Sequence, residues 1–510
     1  MDLVDQQTIV EDAAVDSGSK KPKVEPQKVP RRPYGTLVKN HRLPNDVPII
    51  GLGCSSFSTF FWSAKDGNDT TTKFTPETLQ RTHPIVQEWI QTIKVAVLDY
   101  GITLLDTAPW YGHGTSEIVI GWAMEELLLQ ERNKGGGSTT TNNGLGISRN
   151  DIIINTKIGR YEENPNKQFD FSTKTTIESV ERSIKRMKCQ YINVLQLHDP
   201  EFAPSLTQLL NETIPAMIKC RSKGYCKALG MTGYPLEIQY QILQCTLEEC
   251  SNKEFECDAT TIWDQALTYG HFNLHDRSLI SQPIFKKSKS PSDDDINSRN
   301  NPDDKKDGGS IAYESYAQYC KDHSIGLLAA APLSMGLLTN QGPPIWHPAN
   351  PTTELAKACK EAVKICDDHN DNVNISTIAT IMALSNPQTI PCTLLGMKNV
   401  TEVKRAADAA NRYHNTTTST SAESSSSSWN ESSNILLKQV LTETEYEVWE
   451  MLNDSKDGPF ASTWKDNTAY KWDGIQGVKD FWEQLDNKYK NGDNDDGAFL
   501  VVENWQATSM

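Results

Sequence analysis

Eight apolar runs of strand length, each followed by a stretch of helical periodicity, constrain this chain more than any other feature. They are VPIIGLG (47–53), ITLLDTA (102–108), DIIINTK (151–157), YINVLQLH (191–198), YCKALGMT (225–232), TIWDQALTY (261–269), GLLAAAP (326–332) and CTLLGM (392–397). Runs this apolar belong to strands buried on both faces, as parallel strands are when helices cover them. Strands and helices in steady alternation build a parallel sheet through right-handed crossovers. Eight such units close an α/β fold of the (β/α)8 TIM-barrel type. A doubly wound open sheet is the competing arrangement. It wants a glycine-rich fingerprint between an early strand and a helix, whereas GLGCSS (51–56) is short and no helical pattern follows it directly.

The expected helices are TIKVAVLDYG (92–101), SEIVIGWAMEELL (116–128), TIESVERSIKRM (176–187), LTQLLNETIPAMIKCRSKG (206–224), PLEIQYQIL (235–243), IAYESYAQYCKDHS (311–324), NISTIATIMALS (374–385) and NVTEVKRAADAA (399–410). A single late amphipathic helix, ILLKQVLTETEYEVWEML (435–452), follows, and a hairpin-like opening, YGTLVKNHRLPND (34–46), precedes the first strand. Polar tracts interrupt the pattern. Residues 1–32 read as a disordered N-terminal tail, and Gly/Thr/Asn-, Ser/Asp- and Ser/Thr-rich segments near 133–146, 287–309 and 413–434 as low-complexity loop insertions. None has the apolar surface to offset its ordering entropy, but loop closure tolerates such insertions. The expected organisation is therefore a tail (1–32), a barrel with insertions (33–465) and a C-terminal extension (466–510).

The 510 residues carry a formal net charge of −16 and no basic face interleaved with aromatics, which argues against a nucleic-acid partner. The basic run from Lys20 to Arg32 reads as a solvated tail more readily than as a nuclear signal. Eleven cysteines without CxxC pairing imply free thiols and no metal site. With an acidic N-terminus, and no apolar run near the ~20 residues of a membrane helix, the expectation is a cytoplasmic protein with no membrane partner. Oligomeric state is not legible.

Three consecutive strands end in ionisable side chains. Asp106 closes ITLLDTA with Tyr111 just beyond, Lys157 closes DIIINTK, and His198 closes YINVLQLH. Taken singly, such residues are a helix cap, a snorkelling lysine or a core histidine. Together at neighbouring strand ends of a barrel, where its active sites lie, they form a set. Carbonyl reduction needs a proton donor, and its reverse an acceptor. A phenol of ordinary pKa about 10 is eased toward neutrality by an ammonium. A carboxylate compensates that ammonium, and an imidazole orients the substrate oxygen.

The motifs LLDTAPWYGHGTSE, INTKIGR and VLQLHDPEF make the stretch from Pro48 to about Ala410 resemble the aldo-keto reductase family, whose tetrad is Asp, Tyr, Lys and His in this order. The resemblance implies a catalytic set of Asp106, Tyr111, Lys157 and His198. It also implies NAD or NADP bound in extended form without a Rossmann motif. TKIGRYEENPNKQFDFS, GMTGYPLEI and APLSMGLLTNQGPPIWHP are most similar to the branch that oxidises the anomeric carbon of free L-galactose to the 1,4-lactone in ascorbate synthesis. Two alternatives stay open: an NADPH-dependent aldehyde reductase, and a cofactor-binding regulatory barrel.

The cofactor site departs from the family pattern. Thr232–Gly233 stands for the usual Ser-Asn after the fifth strand, Tyr269 for a Gln, and Ala330 for the stacking aromatic, so Tyr269 is expected to supply the ring face. Gly53, Leu333, Gly336 and Leu337 are expected along the cofactor, with Gly396, Lys398 and Arg405 at its adenine end. Lys398 and Arg405 suit a 2′-phosphate, whereas the sugar-oxidising branch implies NAD. Trp110, His113, His271 and Trp346 are the candidate sugar contacts. Cys54 reads as a buried filler rather than an oxidant sensor.

Overall fold

The computed structural model describes residues 25–59, 74–132, 147–162, 167–251, 262–282, 284–285, 312–313, 315–343, 347, 354–369, 373–419, 429–454 and 456–460. The tracts 133–146 and 287–309, Trp346, residues 1–24 and everything after 460 lie outside them.

A hairpin, β1 (Arg31–Pro33) and β2 (Asp46–Pro48), opens the described chain. The barrel strands begin with β3 (Ile50–Gly53), β4 (Leu104–Asp106), β5 (Ile153–Ile158), β6 (Ile192–His198), β7 (Cys226–Gly233) and β8 (Gln265–Tyr269). A short antiparallel pair, β9 (Ile284–Phe285) and β10 (Ala312–Tyr313), interrupts before β11 (Gly326–Ala330) and β12 (Cys392–Gly396) complete the ring. The eight barrel strands run parallel and close in the order β3-β4-β5-β6-β7-β8-β11-β12. All eight apolar runs of the sequence become these strands.

Strand pleating sorts the side chains. Leu104, Ile153, Val194, Ala228, Leu267, Leu328, Cys392 and Leu394 pack inside the barrel against Tyr34, Val38, Leu43 and Val47 of the hairpin segment, which plugs one end. Their neighbours Leu105, Ile154, Leu195, Leu229, Ala266, Leu327 and Leu395 join the larger core under the helices. Because side chains alternate with period two, Asp106, Lys157, His198, Thr232 and Tyr269 share the inward parity and sit at the opposite end from the plug. This parity, more than any single residue, assembles the site.

Several boundaries differ from the sequence reading. Residues 25–32, assigned to the tail, are held against the barrel. Val29 is buried and its N–H donates to the Tyr100 carbonyl, and Arg31 starts β1. The helix Val400–Ser419 runs into the tract at 413–434, which Tyr413 enters buried beneath Arg32. The late helix is two, Trp429–Val440 and Glu443–Leu452, because Thr442 caps the second in a reciprocal capping box with Glu445. Ala312–Tyr313, expected helical, form β10, and the helix starts at Tyr316 behind the Ser315 cap. A helix at Glu354–Asp368 was not expected, although Leu355, Ala358, Cys359, Ala362 and Cys366 mark its buried face at helical spacing.

Candidate active site

At the open end of the barrel a cavity of about 590 Å³ holds Asp106, Tyr111, Lys157 and His198 along one wall. β4, β5 and β6 deliver Asp106, Lys157 and His198. Tyr111 begins a tight turn, Tyr111–Gly114, in which Gly112, His113 and Gly114 all have positive φ. A Cβ on Gly112 would fall 1.8 Å from Thr115 Oγ1, so only glycine fits there. Lys157 Nζ donates to Asp106 Oδ1 at 2.6 Å, to the Thr107 carbonyl at 2.8 Å and to Tyr111 Oη at 3.1 Å. All three donors of the ammonium are used. The His198 ring meets the Tyr111 ring edge-on, centroids 6.2 Å apart.

The electrostatics of this group depend on burial. Burial alone would lower the Lys157 ammonium, but Asp106 and the Tyr111 phenol outweigh it and hold the pKa above the ordinary lysine value. Burial pushes the Tyr111 phenol up, and Lys157 pulls it only part of the way back. The easing expected from the ammonium is therefore real in sign but smaller than the desolvation it opposes. His198 is held well below its usual range by burial and by the charges of Lys157 and Arg160, so its imidazole is neutral. A buried phenol beside a fixed ammonium and a neutral imidazole can exchange one proton with a bound oxygen.

Behind His198 lies a second ionic layer that the sequence reading missed. Arg160 Nη1 donates to Asp199 Oδ2 at 2.9 Å, with both side chains fully buried. The Arg160 guanidinium lies 4.1 Å over the Trp110 ring. Burial and the neighbouring Asp199 push Glu201 up to about 8. Its Oε2 would lie 2.6 Å from a Cβ on Gly233, which accounts for glycine at this position. The only hint in the sequence was the acidic pair inside LHDPEF.

A profile of the Aldo/keto reductase family matches residues 78–262. L-galactose dehydrogenase of Arabidopsis thaliana is 31% identical over 304 residues, 60% of this chain and 72% of that protein. The chain belongs to the aldo/keto reductase family. It is an oxidoreductase of the kind that uses a nicotinamide cofactor. D-arabinose 1-dehydrogenase of Saccharomyces cerevisiae is 26% identical over 320 residues, 62% of this chain and 74% of that one. A solved aldo-keto reductase from Bacillus halodurans is 17% identical, with a TM-score of 0.46 over 82% of this chain and 99% of that chain.

Within this family setting, the cavity runs from the tetrad past Gly53, Thr232, Tyr269, Ala330, Leu333 and Gly336 to Gly396, Lys398, Glu402 and Arg405. An extended dinucleotide fits the wall. A Cβ on Gly396 would meet nothing, and Gly336 has φ 100°. The Tyr269 hydroxyl and His198 Nδ1 are buried without hydrogen-bond partners, so polar groups await a ligand. Tyr269 lines the cavity with Tyr234 tilted against it at 5.4 Å. The loop carrying Leu333 and Gly336 is strained, since Ala331, Ser334 and Met335 all have positive φ. His275 Nε2 bonds Ser334 Oγ at 2.8 Å and His347 Nε2 the Ser334 carbonyl at 3.1 Å, and these two contacts pin it.

Four expected contacts lie elsewhere. His271 is buried, with Nε2 on the Tyr234 carbonyl at 2.6 Å and Nδ1 on Ser278 Oγ at 2.7 Å, and so braces a loop. His113 Nδ1 bonds the Tyr161 carbonyl and its ring packs edge-on to Trp110, which does line the cavity. Leu337 turns into the hydrophobic core, and Gly233 faces Glu201. Cys54 is fully buried, and that burial pushes its thiol up. Among the described residues no His, Cys, Asp or Glu group is arranged to hold a metal, and no helix is long and apolar enough to cross a membrane.

Proposed function

We propose that this protein oxidises the anomeric carbon of a free aldose, L-galactose above others, to its 1,4-lactone with NAD, a step suited to ascorbate synthesis. The observation that carries the proposal is Lys157, bonded at once to Asp106 and Tyr111 at the cavity wall. The nicotinamide, when bound, supplies the hydride acceptor. Tyr111 as phenolate takes the proton of the anomeric hydroxyl. Lys157 favours that phenolate and Asp106 anchors Lys157. His198, neutral, orients the sugar oxygen. Trp110, over whose ring Arg160 lies at 4.1 Å, lines the cavity where the sugar C–H groups would sit. Support for an aldose over a simple aldehyde comes from relatives named as sugar dehydrogenases.

For the cofactor, Tyr269 and Thr232 would hold the nicotinamide end, and Gly53, Leu333, Gly336 and Gly396 the span beyond it. Glu402 supports NAD. It lines the adenine end with Lys398 and Arg405 and accepts from the Lys398 N–H at 2.8 Å. A carboxylate accepts from ribose hydroxyls and repels a 2′-phosphate. Lys398 and Arg405 favour the second reading, an NADPH-dependent aldehyde reductase. A panel of L-galactose, L-fucose and D-arabinose with NAD, against simple aldehydes with NADPH, separates the two. Aldose-dependent NADH formation upholds the first, and aldehyde reduction alone sinks it. Cys54, Cys189, Cys220, Cys226, Cys320, Cys359, Cys366 and Cys392 are free thiols, which supports a cytoplasmic setting.

A further inference from the structure

The barrel interior is not apolar throughout. Between the hairpin plug and the tetrad lies a layer of buried amides: Asn155 on β5, Gln196 on β6 and Gln265 on β8. Three contacts there run in one line. Tyr34 Oη donates to Gln265 Oε1 at 2.6 Å, Gln265 Nε2 to Gln196 Oε1 at 3.2 Å, and Gln196 Nε2 to Asp106 Oδ2 at 2.8 Å. The line continues through Asp106 and Lys157 to Tyr111.

The direction of this line follows from chemistry. An ionised carboxylate only accepts, so Gln196 must turn its NH2 toward Asp106 and its carbonyl away. That carbonyl then needs the NH2 of Gln265, whose own carbonyl faces Tyr34. The Tyr34 hydroxyl could donate or accept through its one oxygen, and here it must donate. A phenol at the plug therefore fixes the orientation of two amides, and the amides fix one oxygen of Asp106. The other oxygen is left to Lys157.

We propose that Gln196, Gln265 and Tyr34 are positioning residues that set the ionisation of Tyr111 from the far end of the barrel. This rests on the role given to Tyr111 above. Without the Gln196 donor, Asp106 Oδ2 is buried and unpaired, and the carboxylate draws the Lys157 ammonium toward itself and away from the phenol. Tyr111 then ionises at higher pH. Polarised in one sense, the bonds reinforce one another, so the line acts as a unit.

The test reads Tyr111 directly. The Cζ resonance of isotope-labelled tyrosine, assigned by its loss in Tyr111→Phe, is titrated in the full-length protein without substrate. Gln196→Leu should raise the Tyr111 midpoint by about one pH unit, a tenfold change in the equilibrium. Tyr34→Phe, which deletes one hydroxyl and keeps the ring, should raise it less. The double variant should match Gln196→Leu alone, since the line is already cut. Asn155→Leu, in the same layer but outside the line, should leave the midpoint in place. An unmoved midpoint in Tyr34→Phe and Gln196→Leu, whatever their thermal stability, overturns the proposal. So does full additivity of the two shifts. Because no turnover is measured, failure of the sugar reading leaves this result standing, and the reverse also holds.

Discussion

At the residue scale, the site turns on how far one ammonium offsets the burial of one phenol. Burial lifts Tyr111 and Lys157 opposes it, so turnover in the oxidation direction should climb as pH rises above neutrality. Replacing Lys157 with Met removes the charge that favours phenolate. The rising limb of kcat against pH should move up, and kcat near neutrality should fall by about 10²–10⁴. Asp106→Asn should unfold more readily, because a buried ammonium losing its carboxylate costs about 3–5 kcal/mol. Glu201 gives a separate pH signature. Its folded pKa of about 8 lies above its ordinary value, so the folded protein keeps a proton that the unfolded chain has released. Stability from this group is present at low pH and declines as pH rises through about 8. Thermal unfolding of Glu201→Gln should show a flatter decline over that range, and a slope unchanged from wild type would contradict the assignment.

The four tetrad residues were legible because three strand ends and one motif carried them. Gln196 and Arg160 were equally placed but silent, since a glutamine within an apolar run and an arginine after INTKIG signal nothing until partners are known. His271 misled for the converse reason. A histidine beside a barrel rim reads the same whether it faces a ligand or, as here, a backbone carbonyl and a serine.

At the element scale, the turn that carries Tyr111 is held from outside the barrel. Glu117, fully buried on the helix Thr115–Arg132, accepts from Thr156 Oγ1 at 2.8 Å, next to Lys157 on β5. It also accepts from Arg186 Nη1 at 3.2 Å, while Arg186 Nη2 donates to the His113 carbonyl at 3.2 Å. One ion pair thus ties the tyrosine turn to the lysine strand. Arg186→Met should destabilise by about 3–5 kcal/mol in thermal or denaturant unfolding, since the buried Glu117 loses its counter-charge and keeps only the Thr156 hydroxyl. In the same variant kcat should drop while the KM for the sugar changes little. The strands were readable because all eight are apolar and of strand length. The break at Thr442 was not, because a continuous apolar periodicity hides a capping box until the chain turns there.

At the scale of the whole molecule, one closed barrel presents a plugged end and a reactive end, joined through a polar interior. The helix pair Trp429–Val440 and Glu443–Leu452 packs on its flank, with Arg412 forming two contacts to Glu445 at 3.2 and 2.6 Å. The central claim is that Tyr111 is the proton acceptor of an aldose dehydrogenase. It is tested most directly by NADH formation from L-galactose in wild type and Tyr111→Phe, with cofactor affinity followed by nicotinamide fluorescence. Sugar-dependent NADH formation in wild type that falls by about 10³ in the variant, with cofactor affinity intact, is the predicted result. Undiminished turnover in Tyr111→Phe, or no oxidation of any aldose by wild type, would contradict it.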